Sequence, residues 1–100
     1  MTVVAFSPAR FTPDDLVDFD QIAWPRITSG LWSHVSRQTH YDSDQILVFF
    51  HHLPRPVFRF ERDCRGAYRL WFYDGSGPHI IATGTSAAEC LSIWTGGGEA

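Results

Sequence analysis

Residues 57–73 read VFRFERDCRGAYRLWFY, two runs of alternating apolar and polar residues on either side of a turn. Side chains that alternate with a period of two lie on opposite faces of a β-strand. The separator Asp63-Cys64-Arg65-Gly66 ends in glycine, which is typical of a tight hairpin turn. The stretch therefore predicts two antiparallel strands, one from Val57 to Arg62 and one from Ala67 to Tyr73.

Strand-like segments continue on both sides of this hairpin. The run Ile46-Leu47-Val48-Phe49-Phe50 is apolar on both faces, which indicates a central, buried strand. A proline-framed connection, Leu53-Pro54-Arg55-Pro56, joins this run to the hairpin. After the hairpin, the turn Asp74-Gly75-Ser76-Gly77-Pro78 leads into a last strand from His79 to Thr83. The pattern predicts an antiparallel meander of three to four strands over residues 45–83.

A helix start precedes the meander at Thr12-Pro13-Asp14-Asp15. Threonine caps helices, proline suits the first helical position, and the helix dipole favours carboxylates in the first turn. Apolar residues then recur at helical spacing. Because Pro25 lacks the N–H that a continuing helix needs, we expect the helix to end near Ala23 or Trp24.

Two other segments before the meander carry weaker patterns. Residues 2–6 are rich in β-branched side chains and predict a short edge strand. Residues 27–40 carry apolar residues at helical spacing, and we expect a second short helix that begins near Thr28 or Ser29. The apolar residues of that expected helix are Leu31, Trp32 and Val35.

The chain closes with a second well-marked helix. Ser86 and Glu89 have the spacing of a capping box, and an apolar stripe follows them until Gly96. The glycine-rich residues 96–100 predict a flexible tail. The sequence as a whole predicts one α+β domain over residues 1–100. Its expected architecture is the three- to four-stranded meander with the N-terminal and C-terminal helices packed on one face.

Composition narrows the classes of function. The 100 residues carry a formal net charge of −3, and all eight basic residues are arginines. Without a basic excess, we expect no general affinity for nucleic acid through counterion release. The start of the sequence lacks the basic region of a signal peptide, and no run approaches the roughly 20 apolar residues of a membrane span. We therefore expect a soluble, cytoplasmic protein with no membrane association.

The outward face of the predicted hairpin is the main candidate site. Alternation places Arg59, Arg69, Trp71 and Tyr73 together, on the face opposite the phenylalanines. Exposed aromatic rings among arginines are typical of protein interfaces, here with a partner protein or a second copy of the chain. The same composition suits a stacking platform for single-stranded nucleic acid, although the net acidity disfavours it. Alternatively, residues 27–40 cover this face and Trp71 belongs to the core.

The carboxylates Asp14, Asp15 and Asp18 form a secondary candidate on the first helix. Clustered acids on a small protein can engage a basic groove on a larger partner. Phage-type inhibitors of nuclease complexes are an example of that mode of action. The alternative is an ordinary solvated helix face.

Catalytic and metal-binding patterns are weak. No His or Cys pair has metal-ligand spacing, so the sequence predicts no metal and no cofactor. Cys90 lies on the apolar stripe of the last helix, whereas Cys64 falls in the hairpin turn, where Arg65 alone could lower its pKa. A small enzyme that uses a His or Cys remains an alternative. The favoured hypothesis is a non-catalytic protein-binding module, such as an inhibitor, an adaptor or a subunit of a larger assembly.

Overall fold

A computed structural model describes residues 9–95 of the chain. The elements are, in order, α1 (Pro13–Thr28), β1 (His34–Thr39), β2 (Ser43–Phe49), β3 (Phe58–Asp63), β4 (Tyr68–Asp74), β5 (Gly77–Gly84) and α2 (Ala87–Thr95). Each strand pairs antiparallel with the next one along the chain, so the sheet order is β1-β2-β3-β4-β5. This is an α+β meander with an N-terminal and a C-terminal helix, as the sequence predicts.

The strand count differs from the prediction. The sheet has five strands rather than three or four, because the expected short helix within residues 27–40 is instead a loop followed by β1. The apolar residues at helical spacing do not share a face: Trp32 is 2% exposed, whereas Leu31 is 59% exposed. Gly30 has a φ of 84°, a left-handed conformation that ends the first helix and redirects the chain.

The first helix also runs further than predicted. It begins as expected, with Thr12 and Asp15 forming a reciprocal capping box, but it continues through Pro25 to Thr28. The guanidinium of Arg26 donates to the carbonyl of Ile22 (3.0 Å) and to the carbonyl of Trp94 at the end of α2 (3.2 Å). The side chain of Arg26 thus stabilises the turn that contains Pro25 and ties it to the second helix.

The core lies between the helices and one face of the sheet. Phe58 and Phe60 of β3 point to this side, as alternation predicts. Phe19 of α1 stacks on Phe60 with 5.6 Å between ring centroids, and Trp94 of α2 packs edge-on against Phe58 at 5.0 Å. Burying each such aromatic side chain contributes about 1.5–3 kcal/mol relative to leaving it exposed.

Two buried carboxylates, those of Asp44 and Asp15, form hydrogen bonds that connect the N-terminal part of the described chain to the sheet. Asp44, which is 0% exposed, accepts from the backbone N–H of Phe11 (2.9 Å) and from the guanidinium of Arg37. Asp15 accepts from Arg62 of β3 (3.1 Å) and from the hydroxyl of Tyr68 of β4 (2.8 Å). Buried carboxylates are tolerated because each has several donors.

Several expectations concern segments at the limits of the described chain. The predicted edge strand at residues 2–6 and the predicted tail at residues 96–100 lie outside the described residues. Between residues 9 and 95, neither helix is long and apolar enough to cross a membrane.

Candidate functional site

The sheet has a second face, turned away from the helices, which we call the open face. Alternate residues of the strands form it, and the strand register aligns them in three rows that cross the sheet. The first row is His34, Phe49, Val57, Tyr73 and Pro78; the second is Ser36, Leu47, Arg59, Trp71 and Ile80; the third is Gln38, Gln45, Glu61, Arg69 and Thr83. The structure therefore brings the four predicted interface residues together on one face.

Residues 27–40 do not lie over the open face. Trp32 packs on the helix side, where its ring contacts Phe19, Phe58 and Trp94 at centroid distances of 6.2, 6.4 and 5.1 Å. The following residues become β1, which extends the sheet at its edge. Trp71 is therefore half-buried among its neighbours on the sheet rather than part of the helix-side core.

Arg59 lies at the centre of the open face. The carbon of its guanidinium is 4.5 Å from the ring centroid of Trp71 and 5.7 Å from that of Tyr73. Its Nε is buried and has no hydrogen-bond partner within residues 9–95, and no carboxylate of that range pairs with it. Stacking on aromatic rings holds the cation in place without neutralising it.

Glu61 orients the ring beneath Arg59. The indole N–H of Trp71 donates to Glu61 Oε1 at 2.9 Å, and Gln45 donates to Glu61 Oε2 at 3.2 Å. Glu61 also pairs with Arg69 at 3.4 Å, and Arg69 pairs with Asp63 at 2.9 Å. Arg69 is thus neutralised inside the chain, which makes Arg59 the unpaired cation of the pair.

A groove continues from one end of the open face. It has a volume of about 790 Å³ and lies between the β2–β3 connection and the β4–β5 turn. Its lining includes Leu53, Pro54 and Pro56 on one side and Pro78 on the other. Tyr73 and Val57 line the groove and also belong to the first row of the open face, so groove and face form one continuous surface.

An exposed polar cluster lies on the β4–β5 hairpin beside the groove. Nε2 of His79 lies 3.0 Å from the hydroxyl of Ser76 and 3.1 Å from Asp74 Oδ1. Hydrogen bonds from Ser76, with a smaller contribution from His79, lower the pKa of Asp74 to about 2. Serine and aspartate meet the same imidazole nitrogen, whereas a catalytic relay needs them on opposite nitrogens. The cluster stabilises the turn and is not a hydrolase triad.

The three acidic candidates of α1 do not form one surface. Asp14 is exposed, whereas Asp15 is 7% exposed and held by Arg62 and Tyr68. Asp18 is half-buried and borders a groove of about 340 Å³ between α1 and α2. One member of the predicted cluster is therefore inaccessible to a partner.

The cysteines and histidines are dispersed. Cys90 is fully buried, and burial raises the pKa of its thiol to about 12, whereas Cys64 is exposed in the β3–β4 turn. His34 stacks on Phe49 with 4.6 Å between the rings. Across residues 9–95, no three His, Cys, Asp or Glu side chains converge to hold a metal ion.

Comparison with known proteins gives no relatives: the chain matches no family model, no curated protein and no solved structure at a significant level.

Sequence reasoning missed the neighbours that enlarge the site. Leu47 of β2 and Ile80 of β5 share a row with Arg59 and Trp71. Because the residues around Leu47 and Ile80 are apolar as well, the sequence does not indicate which face each side chain occupies. The pairing register of the strands decides this. The groove was also missed, because its two walls are about 20 positions apart in the sequence.

Proposed function

We propose that this protein is a non-catalytic protein-binding module that docks a partner protein on the open face of its sheet. In this proposal, the partner supplies a carboxylate to Arg59 and apolar side chains to the surface around Trp71 and Tyr73. The observation that carries the proposal is the unpaired guanidinium of Arg59, which lies over the rings of Trp71 and Tyr73. An inhibitor, an adaptor and a subunit of a larger assembly all fit this mode of action.

The environment of Arg59 favours an ionic contact at the centre of an interface. The Arg59 guanidinium forms no ion pair within residues 9–95, so a partner carboxylate that accepts from its terminal nitrogens would make a charge-assisted hydrogen bond without competing with an internal one. Ile80, which shares a row with Arg59 and Trp71 and is 48% exposed, adds apolar surface beside them. Arginine and tryptophan within an apolar patch are the residues that most often dominate binding energy.

The geometry supports a protein partner over single-stranded nucleic acid. Base stacking needs an accessible ring face, and the guanidinium of Arg59 already lies over the ring of Trp71. Arg69, the second arginine of the open face, is already paired with Glu61 and Asp63. The formal net charge of −3 adds no general attraction for phosphates.

Display of protein fragments from the source genome tests the proposal. Fragments are selected on the immobilised wild-type chain, and their affinities are then measured for Arg59→Gln and for the control Arg65→Gln. Arg65 is exposed in the β3–β4 turn, outside the groove and the three rows of the open face. We expect Arg59→Gln to weaken binding by at least about 30-fold, because truncating one partner of a buried charge pair costs about 2–5 kcal/mol. Arg65→Gln should change affinity less than threefold.

Three outcomes would contradict the proposal. These are selected fragments that lack acidic residues, fragments that bind Arg59→Gln as tightly as the wild type, and fragments that lose affinity for a variant altered only on the helix side, such as Trp24→Ala. Trp24 is 69% exposed on α1, opposite the open face, and serves as a second control. A single-stranded oligonucleotide that binds with salt-dependent affinity, and loses it in Arg59→Gln, would favour the nucleic-acid alternative instead.

A further inference from the structure

The two edges of the sheet differ in how well they are protected from pairing with another strand. At the β5 edge, Pro78 has no N–H to donate outward, and an irregularity in the β4–β5 register interrupts the strand near Ile81. Prolines and bulges are the devices by which proteins block edge strands. β1 has neither: its six residues pair with β2 in unbroken register.

The backbone of β1 offers a regular set of unpaired groups. The N–H of His40 donates to the carbonyl of Ser43 (2.8 Å), which fixes His34, Ser36 and Gln38 as the residues bonded to β2. The residues between them direct their N–H and C=O groups away from the sheet; these are Val35, Arg37 and Thr39. No strand of the described chain lies beyond β1.

The charge on this edge does not block pairing either. Arg37 is the charged residue of β1, and its guanidinium is held by Asp44 of β2 on the helix side, where it also lies 5.8 Å from the ring of Phe11. A charged side chain on an edge strand deters a second strand, but the charge of Arg37 is neutralised by Asp44 within the chain.

We propose that β1 pairs antiparallel with β1 of a second copy, around a two-fold axis that passes between the two Ser36 residues. Such an axis, perpendicular to the sheet, keeps both open faces on the same side. Only residues of the same face can then lie opposite each other. Each β1 residue therefore lies opposite either the same residue of the second copy or a residue two or four positions away from it in the sequence.

Side-chain pairing selects the register centred on Ser36. This register places His34 opposite Gln38 of the second copy and Val35 opposite Arg37 of the second copy, so it contains no like-charge pair. A register centred on Arg37 places two arginines directly opposite each other, which is unfavourable. A register centred on Val35 shortens the paired stretch and loses hydrogen bonds.

The resulting dimer has a continuous ten-stranded sheet. The row that contains Ser36, Arg59 and Trp71 then runs across both copies, with the two Arg59 residues five strand spacings apart, or about 24 Å. This assembly does not depend on what binds the open face, and it would present two copies of that face side by side.

Disulfide trapping tests the register. In a Cys64→Ser background, Ser36→Cys should form a disulfide-linked dimer under mild oxidation, because opposed residues of a non-hydrogen-bonded pair have Cα atoms about 4.5 Å apart. Gln38→Cys alone should remain monomeric on a non-reducing gel. Mixing His34→Cys chains with Gln38→Cys chains should give the mixed disulfide.

Equilibrium sedimentation tests the dimer without a crosslink. Ser36→Glu places two carboxylates opposite each other and should raise the dimer dissociation constant at least tenfold, whereas Ser36→Thr should leave it within threefold. Ser36 is half-buried at the edge of the sheet, so circular dichroism of both variants should match the wild type.

Three results would overturn the inference: a wild-type chain that stays monomeric at millimolar concentration, a disulfide in Gln38→Cys alone, or a dimer that Ser36→Glu leaves intact. Trp71→Ala separates this inference from the proposed function. It should leave the dimer unchanged while weakening partner binding. A dimer that Trp71→Ala abolishes and Ser36→Glu tolerates would mean that copies associate through the open face instead.

Discussion

The carboxylate of Asp15 accepts hydrogen bonds from three separate parts of the chain. Its donors are the backbone N–H of Thr12 at 2.9 Å, the guanidinium of Arg62 at 3.1 Å and the hydroxyl of Tyr68 at 2.8 and 2.9 Å. It therefore caps α1 and joins that helix to β3 and β4. The ion pair is largely shielded from water, with 9% of the Asp15 side chain and 17% of the Arg62 side chain exposed.

Replacing Asp15 with alanine should lower the free energy of unfolding by about 3–5 kcal/mol, because it leaves the Arg62 guanidinium buried without its carboxylate. Without Asp15, the Arg62 guanidinium keeps one neutral acceptor, the carbonyl of Arg10 at 3.0 Å, and no carboxylate of residues 9–95 replaces the lost one. Urea denaturation measures the loss. Asp14→Ala, one residue away and exposed, is the matched control and should cost less than about 1 kcal/mol. Equal losses for the two variants would contradict this structural role.

At the scale of elements, the loop between α1 and β1 is fixed by one aromatic side chain. Trp32 fits between Phe19 of α1, Phe58 of β3 and Trp94 of α2, and the guanidinium of Arg26 lies 5.8 Å from its ring. This packing directs the following residues to the edge of the sheet, where β1 forms.

Trp32→Ala should destabilise the protein by about 3–5 kcal/mol, the usual cost of truncating a buried aromatic residue. Trp24→Ala offers a control with the same chemical change at a 69% exposed position, and it should alter stability by no more than about 0.5 kcal/mol. Thermal and urea unfolding of the two variants provide the comparison. If the Trp32 variant were as stable as the Trp24 variant, Trp32 would not anchor the loop.

The elements that sequence could predict are those with local signals. The starts of α1 and α2 follow from capping residues, and Ser86 does accept from the backbone N–H of Glu89 at 3.1 Å. The faces of β3 and β4 follow from strict alternation. β1 could not be predicted in this way, because its sequence HVSRQT lacks a clear apolar period and its strand state depends on pairing with β2.

At the scale of the whole molecule, alkaline stability should depend on few groups, because the sequence contains no lysine. Burial, reinforced by the hydrogen bond to Asp15, raises the pKa of Tyr68 from 10.0 to about 12. Burial likewise raises the pKa of Cys90 from 9.0 to about 12. Both groups favour the folded state in their neutral, protonated forms.

Each of these contributions is fully present below the unfolded pKa and is lost as pH rises through the folded pKa. We therefore expect the free energy of unfolding to fall between about pH 9 and pH 12, with Tyr68 responsible for roughly 1–2 kcal/mol of the decline above pH 10. Urea denaturation across this range provides the measurement. Tyr68→Phe should be less stable at neutral pH and show a shallower decline. A wild-type profile that is flat to pH 12 would contradict the expectation.

The candidate site shows the same division between local and tertiary information. Alternation alone placed Arg59, Arg69, Trp71 and Tyr73 on one face. It could not distinguish the two arginines, yet Arg69 is paired with Glu61 and Asp63 while Arg59 is unpaired. That difference depends on which side chains the strand register places within reach.

The sequence by itself determined the α+β class, the helix starts and the two unlike faces of the central hairpin, because caps, turns and periodicity act over a few neighbouring residues. Tertiary structure alone decided that α1 continues through Pro25, that Asp15 is buried and that residues 34–39 become a strand. The first two outcomes depend on contacts between residues distant in the sequence, Arg26 with Trp94 and Asp15 with Tyr68. The third depends on pairing with the neighbouring strand β2, which the mostly polar sequence of β1 does not indicate by itself. These contacts exist only once the chain has folded.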